Sequence, residues 1–153
     1  LKGKSQYRVT IRTHPVLPLG HFQHKLTHPL KEVSNFTLSS HGLLKDDIEW
    51  ADIVVYWGST VALEALSIGT PVIHYESDSI LSYDPLFECS HLKWVLSEKE
   101  PLIPTLDEIY SLSNERFDEE RMKAKEYLTR YFHPVTEEEL KKFLVKKAEI
   151  SFH

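Results

Sequence analysis

The residues best placed for chemistry are Gly58, Ser59 and Thr60. They lie between a continuous apolar run, residues 53–56 (IVVY), and a helical stretch, residues 60–68. An apolar run of this kind fits a strand covered on both faces. Where a parallel strand turns directly into a helix, the first N–H groups stay open at the positive end of the helix dipole. Such a place suits an anion, phosphate above all. Gly58 lets the backbone come close, and Ser59 and Thr60 add hydroxyl donors. The same Ser and Thr also fit a plain helix cap. Glu64 sharpens the reading. At helical spacing it shares a narrow polar stripe with Thr60 and Ser67, while Val61, Ala62, Leu63, Ala65, Leu66 and Ile68 are apolar. A carboxylate on so apolar a helix needs a partner or a cleft. Its two oxygens could accept both hydroxyls of a ribose. A pair with Arg12 or a cap interaction is the structural alternative.

Other candidates cluster at strand ends. Arg12 and His14 follow the first strand. A guanidinium fork could clamp phosphate there, and the imidazole could donate a hydrogen bond. However, Arg8, Thr10 and Arg12 alternate with Val9 and Ile11, the pattern of a half-exposed edge strand whose charges are solvated. His41 and His74 end two further strands, and Asp84 lies in the loop after the last of them, so all three could line a cleft with Trp57. His21, His24 and His28 would share one face of a helix. Pro18, Gly20 and Pro29 argue against that helix, and no cysteine or acidic ligand is interleaved, so no metal is expected. Cys89 reads as a small core residue rather than a nucleophile. Hydrolase elbow, Walker-type, His-Glu-x-x-His and Gly-x-Gly-x-x-Gly patterns are all missing.

The elements that must position these residues alternate. Residues 7–13, 35–39, 53–56 and 72–75 read as strands, with 94–96 as a last one. Residues 43–50 and 60–68 read as helices, the second stopped by Gly69 with Pro71 beyond. Residues 15–33 read as a long loop. This order implies βαβ crossovers and an α/β fold: a Rossmann-like parallel sheet of about four to five strands flanked by helices. A helical C-terminal part follows, with helices near 105–112, 115–131 and 137–149. Thr105 with Glu108 and Thr136 with Glu139 fit capping boxes; Ser97 with Glu100 fits too, but Pro101 follows at once.

The composition bounds the rest. The chain has 153 residues, enough for a single domain with a sizeable core. Its 18 basic and 23 acidic residues give a net charge of -5, which argues against a nucleic-acid surface. No apolar run reaches membrane-spanning length, residues 1–20 lack the apolar region of a signal peptide, and a single cysteine excludes an internal disulfide framework. A reducing, cytoplasmic setting is expected. The start, Leu1-Lys2-Gly3-Lys4, reaches a strand within a few residues, as expected of a piece cut from a longer chain.

Residues 51–73 (ADIVVYWGSTVALEALSIGTPVI), with Arg12-Thr13-His14-Pro15 upstream, resemble the C-terminal, donor-binding domain of GT-B-fold glycosyltransferases. The likeness is greatest to bacterial capsule, surface-carbohydrate and polyglycerol-phosphate transferases. It implies that Gly58, Ser59 and Thr60 hold the donor phosphates, that Arg12 and His14 flank them, and that Glu64 contacts ribose or sugar. Trp57 departs from the family pattern, which favours a small or polar residue there. The resemblance also implies a nucleotide-sugar as substrate, with no separate cofactor. It further implies an N-terminal acceptor domain of the same chain that carries the catalytic base, and a site at the inner face of the membrane for the full-length protein. The domain alone is then expected to bind but not turn over. Two rival readings are a non-catalytic Rossmann-like module binding nucleotide or protein, and half of a nucleotide-sugar epimerase.

Overall fold

The structure is a computed structural model that describes residues 6–14, 18, 20, 34–39, 42–77 and 83–143. Its elements are, in chain order, β1 (Val9–Ile11), β2 (Phe36–Leu38), α1 (Leu44–Trp50), β3 (Val54–Tyr56), α2 (Val61–Ser67), β4 (Val72–Glu76) and β5 (Lys93–Ser97), then α3 (Leu102–Tyr110), α4 (Asn114–Leu128) and α5 (Glu137–Phe143). The fold is mixed α/β, and every described strand pair is parallel. His21, His24 and His28 of the expected long loop, His41, and the end of the last helix lie outside the described residues.

The strands do not form one continuous sheet of four to five. Ladder hydrogen bonds divide the described strands into a β1–β2 pair and a three-stranded sheet in the order β3-β4-β5. The alternation in β1 supplies the reason. A central parallel strand needs apolar residues on both faces, whereas Arg8, Thr10 and Arg12 turn polar groups outward. Arg8 stacks over the Trp50 ring at 5.4 Å, and Thr10 meets Thr37 of β2, hydroxyl to hydroxyl, at 3.2 Å.

The β3-β4-β5 sheet is the centre of the molecule. Its register pairs Val54 with Val72 and Val72 with Lys93, and Tyr56 with His74. Because side chains alternate along a strand, these residues share one face. On that face Tyr56 and Val72 join Ile48 of α1, Ala62, Leu63, Ala65 and Leu66 of α2, Ala124 and Leu128 of α4, and Leu86, Cys89 and Leu92 of the β4–β5 connection. On the opposite face Ile73 and Leu96 pack with Leu106 and Ile109 of α3. Helices thus cover both faces, the arrangement a parallel sheet requires.

The helix α2 ends as its sequence indicates. Gly69 takes φ +89°, and the N–H groups of Gly69 and Thr70 donate to the carbonyls of Leu66 and Ala65, both at 3.0 Å. These two bonds are a Schellman cap, which only a residue at ease with positive φ can close cheaply. The helix α3 begins earlier than its Thr105 capping box predicts. Pro101 takes the N-cap position, and Pro104 falls in the first turn, where its missing N–H would have no acceptor. Thr105 therefore lies inside the helix. Glu100 instead closes the turn ahead of it, accepting from the Ser97 N–H and hydroxyl at 2.9 Å each. The Thr136–Glu139 box forms reciprocally: Glu139 accepts from the Thr136 N–H at 2.9 Å, and Thr136 Oγ1 accepts from the Glu139 N–H at 3.3 Å. Among the described residues no helix is long and apolar enough to cross a membrane.

Candidate functional site

The turn after β3 has its own internal wiring. Ser59 Oγ accepts from the Val61 N–H at 3.3 Å, the Ser59 carbonyl from Ala62 at 3.4 Å, and the Thr60 carbonyl from Leu63 at 3.0 Å. Ser59 thus takes up the first helical N–H, while Thr60 holds the N-cap position without a side-chain cap bond. The N–H groups of Ser59 and Thr60 find no partner among the described residues. Gly58 adopts φ +60°, in the left-handed region where a Cβ is costly. A Cβ on Gly58 would also lie 3.0 Å from the Cβ of Tyr83. The loop after β4 therefore rests directly on this turn.

Thr60, Glu64 and Ser67 form an exposed stripe on α2, opposite its buried Ala62, Leu63, Ala65 and Leu66. The Glu64 side chain makes no hydrogen bond or ion pair among the described residues, so it is not the partner of Arg12. Val61 and Ile68 are only partly covered, so the helix is less completely buried than its composition predicts. Trp57 is 56% exposed, and Tyr83 59%. Two aromatic side chains thus stand open beside Gly58.

Arg12 is engaged elsewhere. Its guanidinium donates to Asp47 of α1 at 2.5 Å, to Ser39 Oγ at 3.3 Å and to the Gly42 carbonyl at 3.2 Å. Ser39 also donates to Asp47 at 2.6 Å. This network ties α1 to the carboxyl ends of β1 and β2. The Ser39 hydroxyl and the Arg12 cation together hold the Asp47 carboxyl below its ordinary range, against a smaller opposing effect of burial. His14 is exposed just past β1.

His74 and Asp84 lie beneath the surface rather than along it. With Lys93, each keeps only 5% of its side chain exposed. Asp84 accepts from the Tyr56 hydroxyl at 2.6 Å, from the Leu86 N–H at 2.9 Å and from the Lys93 ammonium. Lys93 also donates to the Leu86 carbonyl at 2.6 Å. His74 Nδ1 lies 3.8 Å from Asp84, and its ring centroid 5.1 Å from that of Tyr56. Burial works against the Asp84 carboxylate, but Lys93, Tyr56 and the Leu86 N–H outweigh it and hold the pKa below the ordinary value. Burial, then the neighbouring Asp84, pushes the Tyr56 hydroxyl far up, so it stays a donor. No buried side-chain nitrogen or oxygen is left without a partner among the described residues.

Two further contacts fix the same connection to α4 and to the turn that follows it. His91 Nδ1 lies 2.8 Å from Glu120, which also pairs with Arg116 at 3.0 Å. The Tyr131 hydroxyl reaches the Pro85 carbonyl at 3.4 Å. Cys89 is buried here, and burial raises its thiol pKa, which suits a core residue rather than a nucleophile. Among the described residues no group of three His, Cys, Asp or Glu stands close enough to hold a metal ion.

Sequence reasoning named Asp84 but missed Lys93, Tyr56 and Asp47. Lys93 carried a usable signal: a lysine opening a strand that continues Trp94-Val95-Leu96 must either face solvent or meet a carboxylate. Comparison of the chain with protein-family models, curated proteins and solved structures finds no match.

Proposed function

We propose that this chain is the donor-binding half of a glycosyltransferase or glycerophosphotransferase of surface-polysaccharide synthesis, taking a nucleotide-sugar or nucleotide-diphospho-alcohol. One observation carries the reading. Among the described residues, the Gly-Ser-Thr turn at the carboxyl end of β3 leaves the Ser59 and Thr60 N–H groups and the Thr60 hydroxyl without partners, and Glu64 is an unpartnered carboxylate one turn along the same exposed stripe. Phosphate oxygens suit the first set, and vicinal hydroxyls suit the second.

Topology supports the same place. Tyr7 and Ile53, just ahead of β1 and β3, pack on one apolar cluster. Ligands of open parallel sheets bind beyond the carboxyl ends of the strands, here those of β1 and β3. Residues 12–14 and 57–60 follow those two ends. Arg12 contributes there by holding β1, β2 and α1 together, its fork being occupied by Asp47, Ser39 and Gly42. A catalytic base and acceptor site would come from an N-terminal domain of the same protein, so the chain binds donor without transferring it. The full-length protein would work in the cytoplasm, at the inner face of the membrane.

The test is calorimetric titration of the chain with UDP, CMP, CDP, GDP and ADP, repeated on Thr60→Val and Glu64→Ala. The reading requires saturable binding of one base class, weakened in both variants. Binding that both variants leave unchanged would place the ligand elsewhere. No binding at all would favour the interaction-module reading, for which the exposed Tyr131, Phe132, Val135 and Leu140 offer a surface.

A further inference from the structure

The buried ionic cluster under the β4–β5 connection is physically expensive. Two charged groups, each 5% exposed, have left water, and replacing such a pair by apolar groups of similar size is often neutral or stabilising. Burial of the core alone does not call for it. Its geometry has a clear local result. Asp84 is joined to β3 through Tyr56, to the first residue of β5 through Lys93, and to its own loop through the Leu86 N–H. The residue before it, Tyr83, is thereby set on Gly58, and its ring is left without a hydrogen bond or ring contact among the described residues. Leu92, at the far end of the same connection, holds φ +49°, an unfavourable conformation for a leucine that surrounding contacts must impose.

We propose that Asp84 and Lys93 are positioning residues of the candidate site, and that the Tyr83 ring they hold beside Gly58 and Trp57 is the wall that stacks on the flat base of the nucleotide. This deepens the donor-binding reading and rests on it. A ring anchored at its Cα and open on its face gives up little freedom on binding, the property that makes aromatic platforms effective for bases.

Tyr83 and its anchor separate experimentally. Tyr83→Ala should weaken UDP or its preferred counterpart about tenfold, within the range for loss of one base–aromatic stack, while leaving thermal stability close to that of the parent. Asp84→Leu combined with Lys93→Met removes the charges together and keeps apolar bulk. That chain should still unfold cooperatively, yet its Gly58 and Tyr83 amide resonances should shift without ligand, and nucleotide affinity should fall at least as far as in Tyr83→Ala. Should the double variant not fold, Tyr56→Phe removes a single bond to Asp84, and the same amides should move in a smaller measure. Unchanged Gly58 and Tyr83 amides in a folded variant overturn the positioning role. Full affinity in Tyr83→Ala overturns the stacking role. Failure of the donor reading is distinct: the parent chain then binds no nucleotide, while the ligand-free amide shifts still decide whether Asp84 and Lys93 position Tyr83.

Discussion

Replacing Gly58 by alanine probes the candidate site without any ligand. At φ +60° an L-residue costs roughly 1–2 kcal/mol more than glycine. Alanine recovers about 0.4–1 kcal/mol by restricting the unfolded chain. The new Cβ would lie 3.0 Å from the Cβ of Tyr83, tight enough to push the loop by a few tenths of an ångström. Together these effects give a net loss of about 1–2 kcal/mol, or roughly 2–8 °C in Tm for a chain of this size. Urea and thermal unfolding followed by tryptophan fluorescence measure it. The contacting atom supplies a control. Tyr83→Ala keeps the Cβ and should leave the cost of Gly58→Ala unchanged, whereas Tyr83→Gly removes it and should lower that cost by about half a kcal/mol, the scale of coupling between touching residues. A neutral or stabilising Gly58→Ala would refute the left-handed turn. An equal cost in all three backgrounds would refute the Tyr83 contact.

Other outcomes follow from burial and charge. Leu66→Ala, at a fully buried core position of α2, should cost about 2–5 kcal/mol in urea unfolding, while Glu64→Ala on the exposed stripe should stay within about 0.5 kcal/mol. Asp84 is held below the ordinary aspartate value of 3.8, so its contribution is complete above that value and is lost as pH falls through the lower, folded one. The urea midpoint should therefore fall in acid, and the gap between the parent and Asp84→Asn should narrow there; a gap that widens with acid contradicts the sign. Cys89, buried with a raised thiol pKa, should react with an alkylating reagent at neutral pH far more slowly in the native chain than in urea, as mass spectrometry would show.

Much of the fold was legible because its strongest patterns are local. The apolar run at residues 53–56, the stop at Gly69 and Pro71, and the Thr136–Glu139 box each appear within a residue or two of expectation. The stripe of Thr60, Glu64 and Ser67 was legible from helical spacing alone. What escaped depends on contacts between distant segments. The division into two sheets follows from how β1 satisfies its arginines, and no spacing rule shows that Arg12 would meet Asp47 rather than Glu64. The Asp84–Lys93 pair joins a loop to the first residue of the next strand, and nothing in the spacing of the two residues shows that they meet. The Thr105 box failed because Pro101 and Pro104 compete for the same helix start and suit it better.

The proposed donor site places a nucleoside diphosphate on residues 57–64. An amide chemical-shift titration of the chain with UDP, CDP, GDP and ADP tests it residue by residue. Saturable shifts centred on Gly58, Ser59, Thr60 and Glu64 and extending to Tyr83 are expected, with a Kd on the order of millimolar, as befits half of a two-sided site. A folded chain whose spectrum is unmoved by every nucleotide, or moved only at residues remote from the turn, would contradict it.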